Sequence, residues 1–92
     1  MQAIWNGTVI AESNDTVTVE GNYYFPFDSI KEEYYTKTEL TTFCGWKGMA
    51  NYYSVTVDGK INKDCAWYYA EPNDAASKIK GMIAFWNGVD IK

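Results

Sequence analysis

Four Tyr-Tyr pairs punctuate this chain, at 23–24, 34–35, 52–53 and 68–69, and they constrain its fold more than any other feature. Neighbouring side chains on a strand point to opposite faces of a sheet, so a pair lying in a strand sends one ring to each side. Most of these rings therefore read as structural. Together with four Trp and four Phe they raise the aromatic content to 17% and must supply much of the core volume. A chain of 92 residues has room for one core, burying roughly two-thirds of the surface that its unfolded form exposes. The expectation is one domain over residues 1–92, mainly β, built as a compact antiparallel sheet with two short helices; an α+β arrangement is the alternative.

The strand signals follow one another closely. Thr8 to Glu12 is rich in β-branched residues, Ser13-Asn14-Asp15 supplies turn chemistry, and Thr16-Val17-Thr18-Val19-Glu20 alternates cleanly, which predicts a β-hairpin. Gly21 breaks the alternation and suggests a bulge, and Asn22-Tyr23-Tyr24-Phe25 reads as a further strand closed by Pro26. Asp28 or Ser29 is placed to cap a short helix through about Tyr35, with Glu32 and Glu33 near its positive end. Strand character returns from Leu40 to Trp46, Lys47-Gly48 turns the chain, and Asn51–Val57 meets Asp58-Gly59, a strong hairpin signal with Ile61–Tyr69 as its return strand. Pro72 with Asn73 or Asp74 opens a second helix through about Lys80, which Gly81 stops. Met82 to Trp86 is a last apolar strand. Ala84-Phe85-Trp86-Asn87-Gly88 echoes Ala3-Ile4-Trp5-Asn6-Gly7, a reused strand-turn unit too short to be a true repeat.

Composition removes several function classes. The net charge is −4 and every basic residue is Lys, so the side chain best suited to bidentate phosphate and guanine contacts is missing. Nucleic acid and anionic membrane are not the expected partners. There is no His either, which removes the commonest general base and the favoured zinc ligand. Catalysis would have to use Lys, Tyr, Cys or carboxylates. Met1-Gln2-Ala3-Ile4-Trp5-Asn6-Gly7 has neither the basic start nor the apolar stretch of a signal peptide, and no later run reaches membrane-spanning length. The expected compartment is the cytoplasm. There Cys44 and Cys65 are free thiols, and the acceptor-like Asn6-Gly7-Thr8 and Asn14-Asp15-Thr16 read as turns.

The densest constellation is Cys44-Gly45-Trp46-Lys47-Gly48, followed by Asn51-Tyr52-Tyr53 and Cys65-Ala66-Trp67-Tyr68-Tyr69-Ala70-Glu71-Pro72. A tight turn at Lys47-Gly48-Met49 would set Trp46 opposite Ala50 and Cys44 opposite Tyr52. The Asp58-Gly59 hairpin would set Ala50 opposite Trp67 and Tyr52 opposite Cys65. Two rows result, Trp46–Ala50–Trp67 and Cys44–Tyr52–Cys65, and a one-residue slip would separate them onto opposite faces. The first row leaves a slot between two indoles for a flat ligand; ordinary cross-strand packing produces the same row. Lys47 is the only basic residue in the cluster. It suits a phosphate or carboxylate, in which case Lys47→Ala would abolish binding while changing stability by less than about 1 kcal/mol, or a neighbouring thiolate, and it equally suits a solvated turn.

Three functional readings stay open. In the first, a small anionic or planar molecule binds at Cys44, Trp46, Lys47, Tyr52, Trp67 and Glu71. In the second, the chain is a structural or interaction module without a small-molecule site. In the third, Cys44 or Lys47 serves a thiol- or lysine-dependent enzyme, for which Glu20, Asp64 and Glu71 are candidate acids or bases. No cofactor is called for. Two cysteines without His or a Cys-x-x-Cys spacing cannot build a structural zinc site. The proposed register places the Tyr52 strand between Cys44 and Cys65, roughly 9 to 10 Å apart, too far for a disulfide, whose limit is roughly 7 Å between Cα atoms.

Three blocks carry a resemblance to a known family: Val19-Glu20-Gly21-Asn22-Tyr23-Tyr24-Phe25-Pro26; Cys44-Gly45-Trp46-Lys47-Gly48 with Ala50 and Tyr52-Tyr53; and Ala66-Trp67-Tyr68-Tyr69 with Glu71-Pro72, Gly81 and Ala84-Phe85. In these the chain resembles the bacterial family known as domain of unknown function 427, which also carries a nucleotidyltransferase label. The resemblance implies a strongly bent antiparallel sheet, related in shape to the tent-like folds of methionine sulfoxide reductase B and yippee-type domains. Several of those relatives hold zinc on four cysteines, a set this chain lacks. Gly45 stands where the family often has Pro, and Cys65 where a non-thiol is common, so the resemblance implies no disulfide. Polymerase-like nucleotidyl transfer needs paired carboxylates holding magnesium, and no such pair stands in the sequence.

Overall fold

A computed structural model describes residues 1–92. Nine strands run in chain order: Gln2–Trp5 (β1), Thr8–Glu12 (β2), Val17–Val19 (β3), Asn22–Pro26 (β4), Tyr35–Cys44 (β5), Gly48–Val57 (β6), Lys60–Tyr68 (β7), Met82–Phe85 (β8) and Asp90–Ile91 (β9). They form two antiparallel sheets, one ordered β2-β1-β9 and the other β3-β4-β8-β7-β6-β5. The protein is mainly β, as the alternating sequence predicts.

The two predicted helices are replaced by short 3-10 turns. Phe27–Ser29 and Glu32–Tyr34 occupy the first, and Asp74–Ile79 occupies the second, broken at Ala76. None has a side-chain cap. The Ser29 hydroxyl donates to the Pro26 carbonyl (2.6 Å) and the Asn73 amide to the Gly45 carbonyl (3.3 Å) instead. Segments this short cannot repay the cost of nucleating an α-helix.

The predicted hairpin between Thr8–Glu12 and Thr16–Glu20 does not form. β2 pairs with β1, Trp5 opposite Thr8, and β3 pairs with β4, Val19 opposite Asn22. The reason lies in the turns. Asn6 and Gly7 have φ of 50° and 74°, Glu20 and Gly21 of 53° and 78°, the consecutive positive values of the type I′ turn that matches strand twist. Gly21 is thus a hairpin residue rather than a bulge. Ser13-Asn14-Asp15 instead makes a local turn, the Ser13 hydroxyl accepting from the Asp15 amide (2.9 Å), and passes the chain from one sheet to the other. The echoed pentapeptides share this device: Asn87 and Gly88 repeat the paired positive φ (56° and 89°), but here the turn sends the chain to β9, which pairs with β1.

Register in the large sheet differs from the sequence reading at two places. β5 and β6 meet with Cys44 opposite Gly48 and Thr42 opposite Ala50, so the turn is Gly45-Trp46-Lys47, and Trp46 lies outside the ladder. Between Tyr53 and Val55 the β6–β7 register shifts by two residues, which puts Tyr52 opposite Trp67 rather than Cys65. A matching shift interrupts β5 between Lys37 and Thr41. Both neighbours of β6 thus carry surplus residues at nearly the same level, and such bulges bend the strands that hold them.

The core is double. Between the two sheets lie Ala3, Ile10 and Ala11 from the small sheet and Phe25, Val55, Val57, Cys65, Ala66, Ile83 and Phe85 from the large one. On the far face of the large sheet, Val19, Tyr24, Ala50, Tyr69, Met82 and Ala84 are covered by Ala76 and Ile79 of the 3-10 segment. Three Tyr pairs split across the sheet as predicted. Tyr53 packs on the first cluster while Tyr52 packs on the second, Tyr24 is buried while Tyr23 is exposed, and Tyr68 and Tyr69 part in the same way. Tyr34 and Tyr35 both pack on the first cluster, because the pair straddles the end of a 3-10 turn. Cys44 and Cys65 are free thiols, with β6 between their strands.

Candidate functional site

Lys47 is the pivot of the predicted cluster, and it is not a solvated turn residue. It is 7% exposed, so the small stability cost expected for Lys47→Ala does not apply. Its turn is held from outside by the 71–73 segment: the Asn73 amide donates to the Lys47 carbonyl (2.9 Å). Gly48 has a φ of 108°, a backbone conformation that favours Gly, while an added Cβ would meet the Glu71 carbonyl oxygen at an ordinary 3.5 Å.

The Lys47 ammonium sits 5.6 Å from the centre of the Trp46 ring and 5.5 Å from that of Tyr69, within cation–π range. Its one carboxylate partner is Glu20, on the β3–β4 turn, which forms an ion pair and hydrogen bond with Nζ. The second Glu20 oxygen accepts from Trp46 Nε1 at 3.4 Å. Two donors from one turn thus converge on one carboxylate. The Lys47 hydrogen bond holds the Glu20 carboxyl below its ordinary pKa. Burial would push Lys47 down, but the Glu20 contact and the rings of Tyr24 and Tyr69 raise it on balance. Lys47 therefore stays protonated at neutral pH and is neither a base nor a nucleophile in this state.

Beside it opens a hollow of about 260 Å³ lined by Lys47, Tyr52, Trp67, Tyr69 and Trp86. Its walls are fixed by hydrogen bonds. Trp67 Nε1 donates to the Tyr24 hydroxyl (3.2 Å), with the two rings at 89°. The Tyr52 hydroxyl pairs with that of Thr42 (3.0 Å), and Trp86 Nε1 donates to the Asp64 carbonyl (2.7 Å). Burial raises the Tyr69 phenol against the opposing effect of Lys47, so it remains a neutral donor.

Of the residues singled out by sequence, the hollow gathers Lys47, Tyr52 and Trp67. Trp46 borders it through Lys47 but is 40% exposed. Cys44 packs on the second cluster and Glu71 is exposed; neither lines the hollow. Cys65 belongs to the first cluster, where burial pushes its thiol up to about 11. Tyr69, Trp86 and Glu20 complete the arrangement. Tyr69 is legible in the sequence, two residues from Trp67 on the predicted return strand and one residue past the end of β7. Trp86, one residue past β8, continues the alternation of Ala84. Glu20 as the partner of Lys47, 27 residues away, left no local signal.

The fold and this site define a small β protein with an aromatic hollow around a buried lysine. A family model described as Domain of unknown function (DUF427), with the short label NTP_transf_9, matches residues 1–92, and the chain belongs to that family. No curated protein matches it. The label points to nucleotidyl transfer, whose polymerase-type chemistry runs on carboxylates holding magnesium. No three carboxylates or thiols are placed to hold a metal ion, and Glu20 is paired with Lys47. No helix is long and apolar enough to cross a membrane.

Proposed function

We propose that residues 1–92 act as one small-molecule-binding domain, whose ligand is planar and carries an anionic group. The observation that carries this reading is the Lys47 ammonium, buried among aromatic rings and neutralised only by a carboxylate on a half-exposed surface turn. A buried charge needs a partner, but Glu20 can leave for water without a burial cost. A carboxylate or phosphate of the ligand takes its place on Lys47 and Trp46 Nε1, while Tyr52, Trp67 and Trp86 offer ring faces to the planar part. With charge −4 and no Arg, nucleic acid is a poor partner, and the two free thiols suit the reducing cytoplasm.

The test is a thermal-shift screen of nucleotides, sugar phosphates and aromatic carboxylates on wild type, Glu20→Gln and Lys47→Met, with denaturant melts to confirm folding. Glu20→Gln frees the ammonium and should tighten binding; Lys47→Met should abolish it. A ligand that stabilises Lys47→Met as well as wild type overturns the reading.

A second reading, an interaction module, is favoured by exposed apolar side chains at the β5–β6 tip. Phe43 is 73% exposed and stands opposite Met49, itself 49% exposed. A partner captured by wild type but lost in Phe43→Ser would support it.

A further inference from the structure

The opposite face of the large sheet holds a second and larger hollow, of about 520 Å³, formed by Phe27, Tyr35, Tyr53 and Tyr68 with Glu32 and Lys37 among its lining residues. It uses the other member of two Tyr pairs that serve the Lys47 hollow. The rings form a continuous wall. Tyr53 and Tyr68 stack with centres 4.9 Å apart at 30°, Tyr35 stands at 90° to Tyr53 (5.8 Å), and Phe27 stands at 74° to Tyr68 (5.4 Å). Tyr35 is anchored by its hydroxyl, which donates to the Ile10 carbonyl of the small sheet (2.9 Å). Burial and the adjacent Tyr68 raise the Tyr53 phenol, so the wall carries no charge of its own at neutral pH.

Charge enters only with Glu32 and Lys37. Lys37 stands directly across from Tyr53 in the β5–β6 ladder, and Glu32 begins the 3-10 turn that leads into β5. Both are exposed, neither makes a side-chain hydrogen bond, and the sole ion pair of the molecule is Glu20–Lys47. Opposite charges thus line one aromatic hollow without pairing with each other. A purely cationic ligand would meet Lys37 and a purely anionic one Glu32; a molecule bearing both charges satisfies both. A hollow of this size falls in the range that holds a small organic ligand.

We propose that this hollow binds a zwitterionic aromatic molecule of the α-amino acid type, its ring against Tyr53 and Tyr68, its ammonium toward Glu32 and its carboxylate toward Lys37. The site is independent of the Lys47 hollow.

The experiment is an NMR titration with L-tryptophan, tryptamine and indole-3-propionate as probes, on wild type, Glu32→Gln, Lys37→Met and Lys47→Met. The two rim residues are exposed, so their variants keep the fold. In wild type, L-tryptophan should shift signals of residues 27–37, 53 and 68 saturably and bind best of the three. Glu32→Gln should weaken L-tryptophan and tryptamine by up to about fivefold, the factor for an exposed ion pair, and should not weaken indole-3-propionate, which loses a repelling like charge. Lys37→Met should weaken L-tryptophan and indole-3-propionate and, for the same reason, should not weaken tryptamine. Lys47→Met should change none of them. The proposal is overturned by an absence of saturable shifts at millimolar L-tryptophan, by shifts centred on Lys47, Tyr69 and Trp86, or by equal affinities across the rim variants.

Discussion

The two faces of the six-stranded sheet are made by the same strands and yet differ in kind. Toward the small sheet lie Phe25, Val55, Val57, Ile83 and Phe85, closely covered and without a buried charge. The far face, covered by the 3-10 segment, groups Tyr24, Trp67 and Tyr69 beside the Lys47 ammonium. One face is held by apolar area, the other by rings that keep a polar end satisfied. The difference teaches that a Tyr-Tyr pair in a strand is a division of labour: the backbone alternation delivers one ring to each environment, and the environment decides its task.

The sharpest way to break this comparison is chemical. Cys65 is fully buried in the first core and its thiol is raised to about 11 by burial, whereas Cys44 is partly exposed beside the second. Alkylation of Cys65 in the folded protein should be slower than in denatured protein by at least a factor on the order of 10³, the scale of the folding equilibrium, while Cys44 reacts first. Peptide mapping of a timed iodoacetamide reaction measures this, and equal rates would mean that the first core is open.

Next in size is Phe25→Ala. Phe25 is fully buried and meets Phe85 edge to face, centres 5.6 Å apart, so its loss should cost about 3 to 5 kcal/mol in denaturant melts. The counterpart on the far face, Tyr24→Phe, keeps the ring and removes only the hydroxyl that accepts from Trp67 Nε1, at a cost of about 1 kcal/mol. Equal costs would erase the contrast.

The smallest effect is a pH dependence. Glu20 has a depressed pKa in the folded protein, so its contribution is complete above the ordinary value of 4.5 and is lost as the pH falls through the depressed one. The stability difference between wild type and Glu20→Gln should therefore shrink in acid. Lys47, with a raised pKa, contributes below 10.5 and loses that contribution as the pH climbs through its folded value. A difference that is flat from pH 3 to 7 would show that the ion pair contributes nothing to folding.

Much of the fold was legible because it is local. Alternation marked the strands, Asp58-Gly59 marked the β6–β7 hairpin, and the Tyr pairs marked two faces. What escaped is what depends on distant segments. Thr8–Glu12 chose β1 over β3 because the dihedral angles at Asn6-Gly7 outweighed an equally polar Ser13-Asn14-Asp15, a choice that residue types alone do not rank. The two-residue shift between Tyr53 and Val55 in the β6–β7 ladder moved Trp67 from Ala50 to Tyr52 without changing its face, so the face was readable and the partner was not. Of the candidate residues, Lys47, Tyr52 and Trp67 line one hollow, but Tyr52 stands opposite Trp67 where its strand position suggested Cys65. The burial of Lys47 rests on Glu20, which comes from a different hairpin.

The β5–β6–β7 meander also sets an order of assembly. Its two turns join neighbours in sequence, so little chain entropy is lost in closing them, whereas β1 finds β9 only across nearly the whole chain and β4 finds β8 across more than half of it. The meander is therefore the cheapest part to form and the natural nucleus. Each hollow, however, needs a contribution from outside it, Phe27 after β4 for one and Trp86 after β8 for the other. Both hollows are completed late, only when the long loops have closed, and a chain caught midway would display Tyr52, Tyr53, Trp67 and Tyr68 as bare ridges on a three-stranded ribbon.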